Sequence, residues 1–269
     1  MKSSQIPILI TGSSGFIGTN LVKSGGLKFA SNLQNWNRHS MGSLLERVNR
    51  EKQLDLLNPR VVVHLAWSST NEESYEKSQE NYQWGESTIS FAHECMERNI
   101  RFITIGSAVE DRSDELVGNT PYAKAKNLIR EELSLSPLIT QISYLKPSFI
   151  FSIESQRPRL LKDFINNRDN AWQIVKNPNH HEEFIHINDV ISGLAIIIQN
   201  DLRGILQLGG GINASVSDFI NMVSLNLGSA NIFPWSVPGS KSVQPNFLLN
   251  SLGWKAERTK EFFSSKQIL

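Results

Sequence analysis

The chain has 269 residues, 39% of them hydrophobic, and its 27 lysines and arginines nearly balance its 26 aspartates and glutamates. That composition builds one large core, or a core with a smaller lobe, and excludes a disordered chain. No basic run offers a footprint for a phosphate backbone, so nucleic acid is not an expected partner.

The N-terminal apolar run "IPILI" is interrupted by proline and too short for a signal-peptide core or a membrane span. A cytoplasmic location is expected. "ILI" (8–10) reads as the first strand, and "TGSSGFIG" follows it directly. Gly12, Gly15 and Gly18 then stand between a strand and a helix. Such a loop permits a tight turn, brings backbone close to a pyrophosphate and aims a helix N-terminus at the anion. A dinucleotide site is expected here.

A free ribose 2′-hydroxyl asks for a carboxylate about twenty residues on, and a 2′-phosphate asks for an arginine. The sequence has no carboxylate between Gly18 and Glu46, and Arg38 lies close to where a second strand should end. NADP is therefore expected over NAD, although "LKFASNLQNW" makes a poor strand. A helical pattern at 43–57, a strand "VVVHLAW" (61–67) and a second helical pattern at 81–99 come next. Cys95, the single cysteine, falls in that helix and is expected as a small buried hydrophobe of a reducing compartment.

"RFITIGS" (101–107) reads as a strand that ends on Ser107, at the edge where open α/β sheets bind ligands. "NTPYAKAK" then opens a helix with Pro121 in its first turn. Within that helix Lys126, at i+4, shares a face with Tyr122, while Lys124, at i+2, points elsewhere. A phenol with a pKa near 10 needs a cation beside it to move a proton at neutral pH. Lys126 is that cation, and Ser107 is the polar group that holds a carbonyl or hydroxyl against the phenol.

"ISYLKPSFIF" (142–151) reads as one more strand. After it the pattern loosens, then returns at "EEFIHINDVISGLAIII" (182–198) and "ILQLGG" (205–210). Apolar strands separated by helices indicate an α/β fold, a Rossmann-like doubly wound parallel sheet with a smaller C-terminal lobe. The expected division is 1–150 for dinucleotide binding, with 184–211 returning to it, and 151–183 with 212–269 for the substrate lobe. In "HHEEFIH" the histidines His181 and His186 are five apart in a strand pattern, so no metal site is expected. Gly209 to Gly211 precede Ser215 and Ser217, two candidate helix caps, and read as a sharp loop.

Glycine loop, "HLAW" strand, Ser107, Tyr122 and Lys126 in this order resemble the extended short-chain dehydrogenase/reductases, of the NAD-dependent epimerase/dehydratase type that modifies nucleotide-activated sugars. The resemblance covers nearly the whole chain. It implies cofactor contacts from Gly12, Ser14, Gly15, Phe16, Ile17 and Gly18, and from Leu65, Ala66 and Trp67 beside the fourth strand of the family. It implies that Asn81 opens the helix under the active site, and that Pro147 and Phe149, in "LKPSFIF", border the nicotinamide. By the same pattern Ser107 orients substrate, Tyr122 transfers the proton, and Lys126 lowers the phenol pKa and holds the nicotinamide ribose.

The chain also departs from the family. Ala108 and Val109 replace the acidic pair of the 4,6-dehydratases, which disfavours β-elimination. Glu182 and Glu183 stand where Arg-Asp is common, and Phe149 where an asparagine is common. Arg157, Arg159 and Lys162 are candidate phosphate contacts of the small lobe. The expected activity is NADP-dependent reduction of a keto group on a sugar, a nucleotide-linked 4-keto-6-deoxy sugar. The alternatives are an epimerase that retains NAD and a non-catalytic dinucleotide-binding subunit. A homodimer through the helices near Asn81 and Tyr122 is expected, because Trp84, Ile89, Phe91, Leu128, Ile129 and Leu133 cannot all face one sheet.

Overall fold

The computed structural model of the chain describes residues 6–68, 75–110, 118–135, 137–156, 159–167, 175, 177–229, 233 and 247–264. Two compact units emerge: Met1–Lys146 with Ile197–Leu206, and Pro147–Ile196 with Gln207–Leu269. Among the described residues no helix is long and apolar enough to cross a membrane.

In the first unit β1 (Ile6–Thr11), β2 (Ala30–Asn35), β3 (Val61–His64), β4 (Arg101–Ile105) and β5 (Ile142–Pro147) belong to a six-stranded sheet of order β2-β1-β3-β4-β5-β8, with β8 at Gly204–Leu208. The pairings from β2 to β5 are all parallel. Buried on both faces, β3 reads Val-Val-Val-His and β4 Arg-Phe-Ile-Thr-Ile, with all their residues inside. Helix α1 (Phe16–Lys23), the short α2 (Arg38–Met41), α3 (Arg47–Leu57), α4 (Glu80–Glu97) and α5 (Pro121–Leu135) flank the sheet. One core cluster joins Leu9, Val62, Phe91, Phe102, Ile129, Leu133 and Tyr144, with Cys95 among them. Trp84 and Ile89 pack against the same cluster. Most of the apolar residues on α4 and α5 are therefore satisfied within the subunit, which removes the steric argument for a second copy.

Register decides where chemistry collects. Thr11 pairs with His64, and His64 with Thr104, so the segments after β1, β3 and β4 leave the sheet at one edge. At the opposite edge the buried Arg101 donates to the carbonyls of Ile197, Ile198 and Leu202, at 2.8, 3.0 and 2.7 Å, capping the end of a helix. Burial pushes its guanidinium down to about 10. A cavity of about 580 Å³ opens there between Arg60, Thr140, Asp201 and Arg203, beside the first residues of β1, β3 and β4.

The second unit contains a three-stranded sheet, β6 (Phe149–Phe151), β7 (His181–His186) and β9 (Ile212–Ser215). Its core is aromatic: Phe151, Phe164, Phe184, Phe219 and Phe262 are all buried, and the Phe184 and Phe219 rings stack at 4.4 Å. The run 142–151 is thus two strands in two sheets, split at Ser148. The segment returning to the first unit is 197–206 rather than 184–211, because β7 pairs with β6 and β9 and takes no place in the larger sheet. Gly211, with φ +74° and open space where a Cβ would be, makes the sharp turn, while Gly209 and Gly210 serve close packing. A Cβ on Gly209 would lie 2.3 Å from Glu183 Oε1, and one on Gly210 1.8 Å from the carbonyl oxygen of Phe184. Ser215 caps the following helix by accepting the Asp218 N–H at 3.0 Å, while Ser217 lies buried inside the helix.

Candidate active site

The glycine loop is built by collision avoidance. Gly12 has φ +72°, and a Cβ on it would sit 2.5 Å from the Ala66 amide nitrogen. One on Gly18 would sit 2.2 Å from the Gly12 carbonyl oxygen. Only glycine lets the backbone of the loop lie against the segment after β3 and against α1. Gly15 is the N-cap of α1 and donates to the Gly12 carbonyl at 3.0 Å. Ser14 and Gly15 are exposed at the loop tip, and Phe16 and Ile17 are half-buried in the first turn. A helix N-terminus behind a tight loop of glycines and serines suits a pyrophosphate. The residues present fit the expected dinucleotide.

A hydrogen-bonded chain fixes the loop to the sheet. The Ala66 N–H donates to Thr11 Oγ1 at 3.3 Å, and Thr11 Oγ1 lies 2.8 Å from His64 Nδ1. His64 Nε2 lies 3.1 Å from Thr88 Oγ1, whose hydroxyl donates to the Trp84 carbonyl. Thr88 therefore accepts from Nε2–H, and Nδ1 accepts from Thr11. Burial, with the charges of Lys126 and Arg50, pushes His64 down to about 3, so the imidazole stays neutral and structural.

Arg38 is exposed at the start of α2, three residues past the end of β2. The turn that presents it is fixed. The Trp36 N–H donates to the Ile10 carbonyl at 2.7 Å, and its indole N–H donates to the Gly42 carbonyl at 3.1 Å. Asn37 caps α2 by accepting the His39 N–H at 2.9 Å.

Helix α5 starts where Thr120 Oγ1 accepts the Ala123 N–H at 3.2 Å. The Tyr122 phenol faces the Ser107 side chain. Lys126 is 5% exposed and donates from Nζ to the Ile105 carbonyl at 3.0 Å, whereas Lys124 is exposed. The Lys126 ammonium stands 3.7 Å from the centroid of the Trp67 ring and 5.9 Å from that of Tyr122. Burial pushes Lys126 down to about 8, against the pull of Glu110. Burial pushes Tyr122 up to about 12; the Ser107 side chain opposes this, and the charges of Glu110 and Glu76 add to it.

The sequence reading missed Glu110. It is 7% exposed, and its Oε1 accepts from the Ser107 N–H and, at 2.7 Å, from the Tyr144 hydroxyl. Oε2 lies 3.5 Å from Arg130 Nε. Burial raises its carboxyl, while hydrogen bonds from Tyr144 and Ser107 and the charges of Lys126 and Arg130 lower it. Positions 108 and 109 carry no acid, yet a carboxylate one residue later holds the serine backbone from behind. A serine followed at i+3 by glutamate was the available signal.

Asn81 is fully buried, with its amide spent on Trp67, Tyr75 and Ser78. Leu65, Ala66 and Trp67 are half-buried after β3, linking the glycine loop to Lys126. Pro147 and Phe149 belong to the second unit, where Phe149 meets the Phe184 ring edge-on at 5.5 Å. Arg159 opens helix α6 (Arg159–Asn166), which carries Lys162 exposed; Arg157 lies outside the described residues. Among the described residues no group of three His, Cys, Asp or Glu could hold a metal ion.

No curated protein matches the sequence. In solved structures the chain is similar to dTDP-4-dehydrorhamnose reductase from Bacillus anthracis in complex with NADP, at 12% identity and TM-score 0.72, over 99% of this chain and 100% of that one. It is similar to GDP-mannoheptose C4 reductase from Campylobacter jejuni with NADP bound, at 17% identity and TM-score 0.69, over 98% and 99%. It is also similar to the Bordetella bronchiseptica enzyme WbmG in complex with NAD and UDP, at 16% identity and TM-score 0.69, over 97% and 96%. At these identities the likeness is one of fold. The sequence itself matches the profile of a family over residues 8–209, and the chain belongs to that NAD dependent epimerase/dehydratase family.

Proposed function

We propose that the protein is a cytoplasmic, NADP-dependent oxidoreductase that reduces a keto group of a sugar, a 4-keto-6-deoxy sugar carried on a nucleotide. The observation that carries the reading is the buried Lys126 ammonium, held by the Ile105 carbonyl, one helical turn on from the Tyr122 phenol that faces Ser107. When bound, a nicotinamide dinucleotide supplies the hydride chemistry. Gly12, Gly15, Gly18 and the α1 N-terminus would hold its pyrophosphate, and Lys126 its nicotinamide ribose. Ser107 orients the substrate oxygen, and Tyr122 gives that oxygen a proton. Burial keeps the phenol protonated at neutral pH, which suits a proton donor and the reductive direction. Two of the solved relatives are named as reductases and carry NADP.

The test is oxidation of NADPH by a nucleotide-linked 4-keto sugar. Arg38→Ala should weaken NADPH by about ten- to a hundredfold, the worth of a charged hydrogen bond, and leave NADH nearly unchanged. Equal effects on both would remove Arg38 from the adenosine ribose. Tightly held NAD, released when the protein is denatured, would mark an epimerase instead.

A homodimer through α4 and α5 belongs to the same proposal. Leu128, half-buried on α5 and outside the core cluster that takes in Trp84 and Ile89, supports it. Sedimentation equilibrium at micromolar concentrations should give twice the monomer mass. A monomer mass throughout would end the dimer reading and leave the catalytic one intact.

A further inference from the structure

Trp67 is a large residue in a tight place. Its indole N–H donates to Asn81 Oδ1 at 2.7 Å. Asn81 in turn donates from Nδ2 to the carbonyls of Tyr75 and Ser78, at 2.5 and 2.8 Å, which ties it to the turn that leads into α4. So held, the indole meets the Tyr122 ring edge-on at 5.9 Å and presents its own face to Lys126 Nζ at 3.7 Å. Trp84 backs it at 6.3 Å.

An ammonium has three N–H donors. The Ile105 carbonyl takes one and the Trp67 face occupies a second direction, which leaves one for a ligand. We propose that Trp67 is a positioning residue for Lys126, its indole fixing the ammonium beside Tyr122, and that Asn81 acts on the chemistry only by fixing the indole. The proposal rests on the Ser107, Tyr122 and Lys126 reading and deepens it. Asn81 has no amide atom left for a proton relay, so its place in the site is one step removed from the reaction.

The electrostatic consequence has a definite sign. A ring face attracts the cation and favours the charged amine. The other groups facing Lys126 are Glu110 after β4, which also favours the charge; neutral His64 on β3; Tyr122 on the same helix; and Tyr144 on β5, whose hydroxyl lies 3.1 Å from the Lys126 carbonyl. Trp67→Leu keeps the site apolar and removes the ring, so the amine should lose its proton more readily.

Lysine-labelled protein without cofactor provides the test, with Lys126 assigned in a carbon–proton NMR spectrum by its loss in Lys126→Arg. In the unmutated protein the ring current of Trp67 should place the Lys126 ε-protons upfield of the other lysines. Trp67→Leu should abolish that displacement and raise the deprotonation constant about tenfold. Trp67→Phe, which keeps a ring and the fold but lacks the indole N–H, should stay nearer the unmutated value.

Lys126 ε-protons among those of the bulk lysines in the unmutated protein, or a deprotonation constant unchanged by Trp67→Leu, would overturn the proposal. The readout needs neither cofactor nor substrate. Its failure is therefore separate from that of the functional reading, which turnover of Tyr122→Phe decides.

Discussion

Tyr122→Phe should lower kcat by about a thousandfold, close to 4 kcal/mol of transition-state stabilisation, and leave dinucleotide affinity within about twofold. The substitution removes one oxygen. The ring keeps its edge contacts with Trp67 at 5.9 Å and Tyr75 at 5.3 Å, so the pocket wall stays in place. What goes is the hydroxyl that faces Ser107, the proton donor of the proposed set. A loss confined to kcat identifies an interaction made in the transition state alone. Turnover within about tenfold of the unmutated enzyme would sink the assignment, because a positioned general acid is worth more than that.

The parts of this site that could be read from the sequence are those whose geometry is local. Tyr122 and Lys126 share a helix face by spacing alone, and the structure buries Lys126 while leaving Lys124 exposed. Gly12 and Gly18 announce a loop pressed close to its neighbours, which are backbone atoms that a Cβ would strike. Ser107 follows a strand whose five residues are all buried, so its place at the sheet edge is fixed by the strand.

The features that escaped depend on contacts distant in sequence. β2, "ASNLQN", has a single large apolar residue, Leu33, which is 36% exposed. It is an edge strand made by pairing with β1 and carries little pattern of its own. The run 142–151 is largely apolar, and no periodicity marks the change of sheet at Ser148, whose N–H donates to the Leu208 carbonyl. Glu110 finds Tyr144 across 34 positions. Trp67 read as the end of a strand, and its bond to Asn81 comes from helix α4 closing over the segment after β3. Chemistry carried by spacing was visible. Chemistry carried by closure of the fold was not.

Lys126→Ala should cost about a hundredfold in kcat and at least tenfold in dinucleotide affinity, while Lys124→Ala stays within about twofold on both. The buried ammonium serves two neighbours, the phenol of Tyr122 and the expected ribose, whereas Lys124 points to solvent. The pH dependence follows from burial, which pushes Lys126 down to about 8 against the opposing charge of Glu110. The charged form is the one that binds, so affinity of the free protein for the dinucleotide should be full below that pH and fall as pH rises through it. Lys126→Ala should flatten that fall. If Lys124→Ala were the more damaging substitution, or if the alanine variant at 126 kept the same decline with pH, another group would be holding the ribose and the helical-face argument would be wrong.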